Sequence, residues 1–339
     1  MTAPPRLSIG LPVYNGENYL AEAIEALLGQ SYEDFELIIS DNASTDGTAG
    51  ICRRYEKQDS RIRYIRQQRN IGLIPNHQFV TREARGELFK MAAHDDLYGR
   101  DLLKLCIDAL DEHPDVVCAH SWTVIIDSSA TPVRLLRYPE ATASPRAPER
   151  FRSTLFDGKG DYTYAVIRTN VLRTVPLQDS YHNSDRTWTT ELALHGRFHQ
   201  VPDYLYFRRD HPSEPRLTAR ERCAILDERR ADRLRHPAAR LYGEYIWGYL
   251  SAIHRAPLTP AERRECYLWL ARWTASRAVP DRDPLGEPIS IRQPVLYLSR
   301  WVGTLILPGR DVRVGESAPA EEPHVSVDAV VPGRDRRSS

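Results

Sequence analysis

What most constrains this chain is a repeated change of hydrophobic period within its first 125 residues. Leu7, Ile9, Leu11 and Val13 recur at every second position, which predicts a strand. Tyr14-Asn15-Gly16 breaks the run. Leu20, Ile24, Leu27 and Leu28 then fall at i, i+4, i+7 and i+8, one face of a helix. The same alternation follows downstream. Phe35–Ser40 reads as a strand, 41–47 as a turn-rich link, and Ile51 and Tyr55 open a helix. Ile62–Arg66 is a third strand, and Pro75 suits the first turn of a helix over Pro75–Ala84. Glu87–His94 is a fourth strand, Leu102, Leu103, Cys106, Ala109 and Leu110 make a helical face ended by Pro114, and Val116–Ser121 is a fifth strand. Such alternation implies parallel strands joined by right-handed crossovers. The expected class is α/β, an open, mostly parallel sheet flanked by helices.

Beyond this, Pro139–Arg150 carries three prolines and little apolar content, so a surface loop is expected there. Asp161–Val175 and Val201–Arg208 read as further strands flanking a helix over Asp185–His195. From about residue 216 the pattern is helical. Ala238, Leu241, Tyr242, Tyr245, Ile246, Tyr249, Leu250 and Ile253 form one apolar stripe, and Thr259-Pro-Ala-Glu262 fits a capping box. This is a C-terminal helical extension over 216–307. Residues 308–339, rich in Pro, Gly, Ser and charge, are expected to be a disordered tail.

Composition excludes several classes. The 339 residues carry 46 basic and 46 acidic side chains, a net charge of zero, which argues against broad binding of nucleic-acid phosphates. Cys52, Cys106, Cys118, Cys223 and Cys266 are odd in number and form no C-x-x-C pair, which suits a reducing cytoplasm better than a disulfide scaffold. The N-terminus has no apolar signal region. No apolar run reaches the ~20 residues that span a bilayer. The nearest, Pro294–Leu307, is short and contains Arg300. A cytoplasmic location is expected, and peripheral contact at the inner face of a membrane stays open. Oligomeric state is not legible.

In an open α/β sheet, ligands bind beyond the carboxyl ends of the strands. Three polar clusters fall there: Pro12-Tyr14-Asn15-Glu17, Asp41-Asn42-Asp46 and His94-Asp95-Asp96. Carboxylates gathered around one crevice repel unless a cation joins them, and hard oxygen ligands suit Mg²⁺ or Mn²⁺. Such ions complete their shells with substrate phosphates, so the crevice suits a nucleoside diphosphate. Neither G-x-G-x-x-G nor G-x-x-x-x-G-K-[ST] is present, which disfavours a dinucleotide-binding turn and a P-loop.

Ser8-Ile-Gly-Leu-Pro-Val-Tyr-Asn-Gly16, Ile39-Ser-Asp-Asn-Ala-Ser-Thr-Asp-Gly-Thr48, Arg69-Asn-Ile-Gly72 and Ala93-His-Asp-Asp96 together resemble the family-2 inverting glycosyltransferases of GT-A fold, in their bacterial polysaccharide and glycoconjugate type. Asn183-Ser-Asp-Arg-Thr-Trp188, Glu191-Leu-Ala-Leu-His-Gly196 and Phe207-Arg-Arg-Asp-His211 extend the resemblance to about residue 212. It implies a nucleotide-sugar-binding half over 1–125 and an acceptor and base half over 126–215. Pro12, Tyr14, Asn15 and Glu17 would line the base and ribose pocket, with Asn70 nearby, and Asp41 would accept a hydrogen bond from the base. Asp95 would bind metal with Asp96 nearby and His211 as a further ligand. Arg208, or Arg209, would contact diphosphate. Asp185 takes the place of the general base, with Glu191 as the other candidate. The family's Asp-x-Asp-Asp begins here with Ala93, which shifts metal ligation onto Asp95, His211 and the diphosphate.

The implied partners are a UDP-, dTDP- or GDP-sugar donor and a saccharide, lipid-linked or small-molecule acceptor; the implied cofactor is Mn²⁺ or Mg²⁺. A non-catalytic sugar-nucleotide sensor or assembly subunit is the alternative, kept open by Ala93. A nucleotidyltransferase ranks behind both, because no Gly-rich, Arg-containing turn follows the first strand.

Overall fold

The computed structural model describes residues 4–157, 162–181, 183–210 and 238–278. Strands β1 (Leu7–Val13), β2 (Phe35–Asp41), β3 (Ile62–Arg66) and β4 (Leu88–Met91) are parallel, in the order β3-β2-β1-β4. Between them run α1 (Leu20–Leu28), α2 (Thr48–Gln58) and α3 (Leu73–Glu83). β5 (Leu97–Tyr98), α4 (Leu102–Glu112), β6 (Val116–Ile126) and β7 (Pro132–Leu136) follow. Next come α5 (Ala147–Phe156), β8 (Val166–Arg168), α6 (Thr169–Thr174), α7 (Ser184–His195) and β9 (Arg197–Arg209). The sheet continues β4-β8-β6-β9-β5, with β7 beside β6. β8 is antiparallel to both β4 and β6, so β6 and β9 run with β1–β4, while β5 and β7 run against them.

Both faces of the sheet are covered. Leu7, Ile9 and Leu11 of β1 pack with Phe35, Leu37 and Ile39 of β2 against Leu20, Ile24 and Leu27 of α1 and Leu103, Cys106 and Leu110 of α4. Ile38, Phe89 and Ile167 point the other way, towards Val80 of α3, Leu172 of α6 and Leu192 of α7. A third cluster joins α5 and Leu194 to two C-terminal helices, α8 (Ala238–Arg255) and α9 (Pro260–Ala278). Tyr245, Tyr249 and Ile253 of the predicted stripe are buried there. The capping box at α9 is reciprocal. Glu262 accepts from the Thr259 N–H at 2.9 Å and the Thr259 hydroxyl receives the Glu262 N–H at 3.3 Å.

Some expectations need correction. Pro139–Arg150 is not a plain surface loop. It holds a 3₁₀ turn and then the start of α5, whose Ala147, Arg150 and Phe151 are buried. Its prolines start the helix, Pro148 standing in the first turn. The strand expected over Asp161–Val175 is the three-residue β8 followed by α6. The strand β6 continues five residues past Ser121 and returns through a hairpin into β7, which the sequence reading did not identify. The stretch Pro294–Leu307 and residues 308–339 lie outside the described residues. Among those described, no helix is long and apolar enough to cross a membrane.

The two edges of the sheet differ chemically. At the amino-terminal edge, Glu36 is buried and accepts from Ser8 Oγ at 2.7 Å, Arg85 Nη2 at 2.6 Å and Arg63 Nη1 at 3.1 Å. Burial pushes the Glu36 carboxyl up, but the hydrogen bonds from Arg85, Ser8 and Arg63 outweigh it and hold the group below its ordinary 4.5. A depressed carboxyl stabilises the fold above its unfolded pKa, and that contribution is lost as pH falls through the lower folded value. Glu36→Gln is therefore expected to cost about 1–3 kcal/mol at neutral pH. It should also flatten the acid limb of a urea-unfolding series below pH 5; an unchanged limb would place the acid sensitivity elsewhere.

Candidate active site

At the carboxyl-terminal edge, side chains lock the loops after β1 and β2 together. The Asn15 N–H donates to Ser44 Oγ at 2.9 Å, and Thr45 N–H to Asn15 Oδ1 at 2.9 Å. Gly16 N–H donates to Thr48 Oγ1 at 2.8 Å, Glu17 N–H to Asp46 Oδ2 at 3.1 Å, and Gly47 N–H to Glu17 Oε2 at 2.6 Å. Loop backbone that would lack ladder partners is thereby satisfied. Asn15 (φ 51°) and Ala43 (φ 60°) are held in the left-handed region. For alanine that conformation costs of order 1–2 kcal/mol, which the surrounding bonds must over-determine. Gly16 has no room for a side chain, since a Cβ would lie 2.7 Å from the His94 ring and 2.6 Å from Val13. The link after β4 therefore packs directly on the link after β1.

Asp41, fully buried, ends β2. One oxygen accepts the Ser44 N–H at 2.8 Å, the other the Tyr64 hydroxyl at 2.8 Å and Arg66 Nη1 at 2.9 Å. Burial, with Asp41 beside it, pushes the Tyr64 phenol up to about 12, so it remains a donor. Asn42 reaches the Asn70 side chain at 2.9 Å and accepts the Ile71 N–H at 2.8 Å, and Asn70 accepts the Gly72 N–H at 2.8 Å. Asp41 and Asn70 thus brace the edge through their own side chains, as Asn15 and Glu17 do. Pro12 is buried within β1 in register with Ser40, and Tyr14 is 46% exposed beside it.

The third cluster divides. Asp96 is buried, with one oxygen accepting from the Tyr206 hydroxyl and the other from the Arg209 N–H at 2.9 Å. Asp95 stands at the rim with 22% of its side chain open and His94 Nδ1 at 3.9 Å. Among the described residues no three His, Cys, Asp or Glu side chains converge as a ready-made metal cage. His211 lies outside the described residues. Arg208 is half-buried on β9, and Arg209 is turned inward.

α7 carries Asp185 on its first turn, exposed, after Asn183 in a left-handed conformation. The helix ends at Gly196, which abuts Asp115 and Val117 at the start of β6. Twelve residues at about 1.5 Å each put Asp185 about 18 Å along the helix from that contact, within electrostatic reach of Tyr245 and Tyr249 of α8. Glu191, the other base candidate, is buried and clamped by Arg255 of α8 at 2.9 and 2.7 Å.

Sequence reasoning missed Arg66 and Tyr206. Arg66 was legible only through register, since Asp41 pairs with it across β2–β3. Tyr206 looked like one more strand aromatic. Its hydroxyl holds Asp96, and its ring walls a small cavity beneath, shared with Lys90, Cys106, His120 and Tyr164. That cavity, about 10 Å³, has room for about one water and none for a nucleotide. Lys90 is buried in its wall, donates to the Tyr164 carbonyl, and is pushed down to about 8 by burial.

Comparison with known proteins places this edge in a family. The family model described as glycosyl transferase family 2 matches residues 8–174. TuaG of Bacillus subtilis, named for teichuronic acid biosynthesis and glycosyl transfer, is 30% identical over 140 residues, 40% of this chain and 54% of its own. The glycosyltransferase GlyG of Streptococcus pneumoniae is 29% identical over 106 residues, 31% of this chain and 35% of its own. The chain thus spans about half or less of the length of these relatives. Residues 1–349 of S. aureus TarS, solved with UDP-GlcNAc, superpose with a TM-score of 0.59 at 19% identity, covering 88% of this chain and 79% of that one. That likeness shows the fold, and it agrees with the GT-A-like architecture expected from the motifs. Residues 8–174, just under half of the chain, form a glycosyl transferase family 2 domain.

Proposed function

We propose that the protein is an inverting glycosyltransferase that moves a sugar from a nucleoside-diphosphate donor to an acceptor hydroxyl by a single displacement. The observation that carries this reading is the convergence of the links after β1, β2 and β4 at one sheet edge within a family-2 domain, with Asp95 on its rim. Tyr14 and Pro12 would border the base, and Arg208 the diphosphate. UDP is the first base to test because TarS, of the same fold, has been solved with UDP-GlcNAc; dTDP and GDP follow. The acceptor class is a glycan, lipid-linked saccharide or small-molecule hydroxyl, and the working location is the cytoplasm or the inner face of its membrane.

The acceptor oxygen attacks the anomeric carbon as the bond to the departing diphosphate breaks. Asp185 would receive the hydroxyl proton, a role worth about 10²–10⁴ in rate. Attack opposite the leaving group inverts the anomeric centre. The residues present suit a cation held by one protein carboxylate, Asp95, and completed by phosphate oxygens, as Mg²⁺ and Mn²⁺ commonly are. Such a cation would act as a Lewis acid on the leaving diphosphate. Asp96 would shape the rim, because both of its oxygens already serve the fold.

A non-catalytic sugar-nucleotide-binding subunit is the second reading, favoured by Ala93 at the head of the Asp-Asp motif. A thermal-shift screen of UDP-, dTDP- and GDP-sugars with and without Mn²⁺ identifies the donor, and release of free nucleoside diphosphate separates enzyme from sensor. Asp185→Asn should lower kcat about 10²–10⁴-fold with donor affinity kept; wild-type turnover would remove Asp185 from the base role. Asp95→Asn should abolish the Mn²⁺-dependent part of the thermal shift while leaving the metal-free melting temperature in place. An undiminished Mn²⁺ response would send the metal elsewhere.

A further inference from the structure

Where β9 leaves the sheet, a charged side chain is folded inward at the edge where ligand is expected. Arg209 keeps only 1% of its side chain exposed. Nε donates to the Asp95 carbonyl at 2.8 Å; Nη1 donates to the carbonyls of Asp127 at 3.1 Å and Ser128 at 2.9 Å; Nη2 donates to Glu22 at 3.2 Å. The Tyr19 ring stacks 4.2 Å from the guanidinium carbon, and the Arg209 N–H donates to Asp96. These partners belong to the chain after β1, the link after β4 and the hairpin after β6.

A guanidinium has five N–H donors in a fixed planar fork. Here each of its nitrogens is engaged by the protein itself, on acceptors that three separate segments supply. Four of the five N–H groups are engaged and 1% of the side chain is exposed, so the head group is turned to the protein and not to an arriving diphosphate. The contact on Asp95 is to the main-chain oxygen, so it fixes the peptide plane after Asp95, while the Arg209 N–H fixes the next side chain. Asp95 is thereby held at its own carbonyl and through its neighbour, with its carboxylate left at the rim.

We propose that Arg209 is a positioning residue, which sets the pose of the Asp95 carboxylate by clamping the links after β1, β4 and β6 together, and is not itself a diphosphate ligand. This rests on the reading of Asp95 as the donor-side carboxylate, and goes beyond it in assigning what holds Asp95 in place.

The test uses the full chain and Arg209→Lys, which keeps the charge but cannot bond all these carbonyls at once, with Glu22→Gln as a milder variant at a half-exposed partner. Two readouts are compared: amide hydrogen exchange, and binding of UDP, dTDP and GDP against their monophosphates in Mn²⁺. The expected result is faster exchange over 93–97 and 126–129 with β1 and β2 unchanged. Diphosphate affinity should fall about tenfold or more, ~1.4 kcal/mol, with monophosphate affinity kept and Glu22→Gln in between. Three results would overturn the proposal. Weakened diphosphate binding with wild-type exchange at 93–97 would make Arg209 a direct ligand. Faster exchange throughout the sheet, or equal loss of both nucleotide classes, would make it general structural support. Wild-type behaviour of both variants would leave the clamp without effect. If the wild-type chain binds none of these nucleotides, the reading of Asp95 fails, and the exchange pattern alone decides whether the clamp exists. Should Arg209→Lys not fold, Glu22→Gln decides by the same pattern.

Discussion

Every one of the seven residues of β1 is buried, and this constraint arranges the rest. A strand covered on both faces must lie inside a sheet, paired on both sides, with helices above and below. Its neighbours β2 and β4 run parallel to it, so the links that follow all three emerge at the same edge. Backbone in those links cannot continue the ladder and must find donors and acceptors locally. The side chains of Asn15, Ser44, Thr48, Glu17 and Asp46 supply them. A polar edge cross-linked by side chains is the consequence of burying an apolar strand.

The sheet is polarised along its strands. At the amino ends, Glu36 is enclosed by two arginines and a serine, so its charge is neutralised within the fold. At the carboxyl ends the acidic groups separate by depth. Asp41 and Asp96 are buried and engaged by the protein, whereas Asp95 is partly exposed at the rim. Burial commits Asp41 and Asp96 to the fold, and the more exposed Glu17 and Asp46 brace the same edge through backbone N–H groups.

Periodicity made the first half of the fold legible. β1 and β3 fall on their predicted residues, and α1, α2 and α4 carry their predicted faces, because strands and helices buried between layers write period two or 3.6 directly into sequence. The stretch beyond Ile126 was poorly legible for the opposite reason. β7 is largely exposed, β8 has three residues, and α5 opens among prolines, so none leaves a clean period. At the site, the clusters after β1, β2 and β4 were legible as strand-end polar groups. Which carboxylate would be consumed by the fold was not, since the partners of Asp41 and Asp96 come from 23 and more than 100 residues away.

The C-terminal extension bears on the chemistry through α7. Arg255 closes a two-bond ion pair on Glu191, Tyr181 bonds Thr187 at 2.5 Å, and Gly248 sits where a Cβ would strike the Tyr181 hydroxyl at 2.1 Å. These contacts lie along α7 within two turns of Asp185. A charge as deeply paired as that of Glu191 is poorly placed to accept a proton from an arriving hydroxyl, because protonation would leave the Arg255 guanidinium without its counter-charge. Asp185, exposed at the first turn of the same helix, makes no such ion pair among the described residues. The extension thus pairs Glu191 and, through the same contact, holds the helix that carries Asp185.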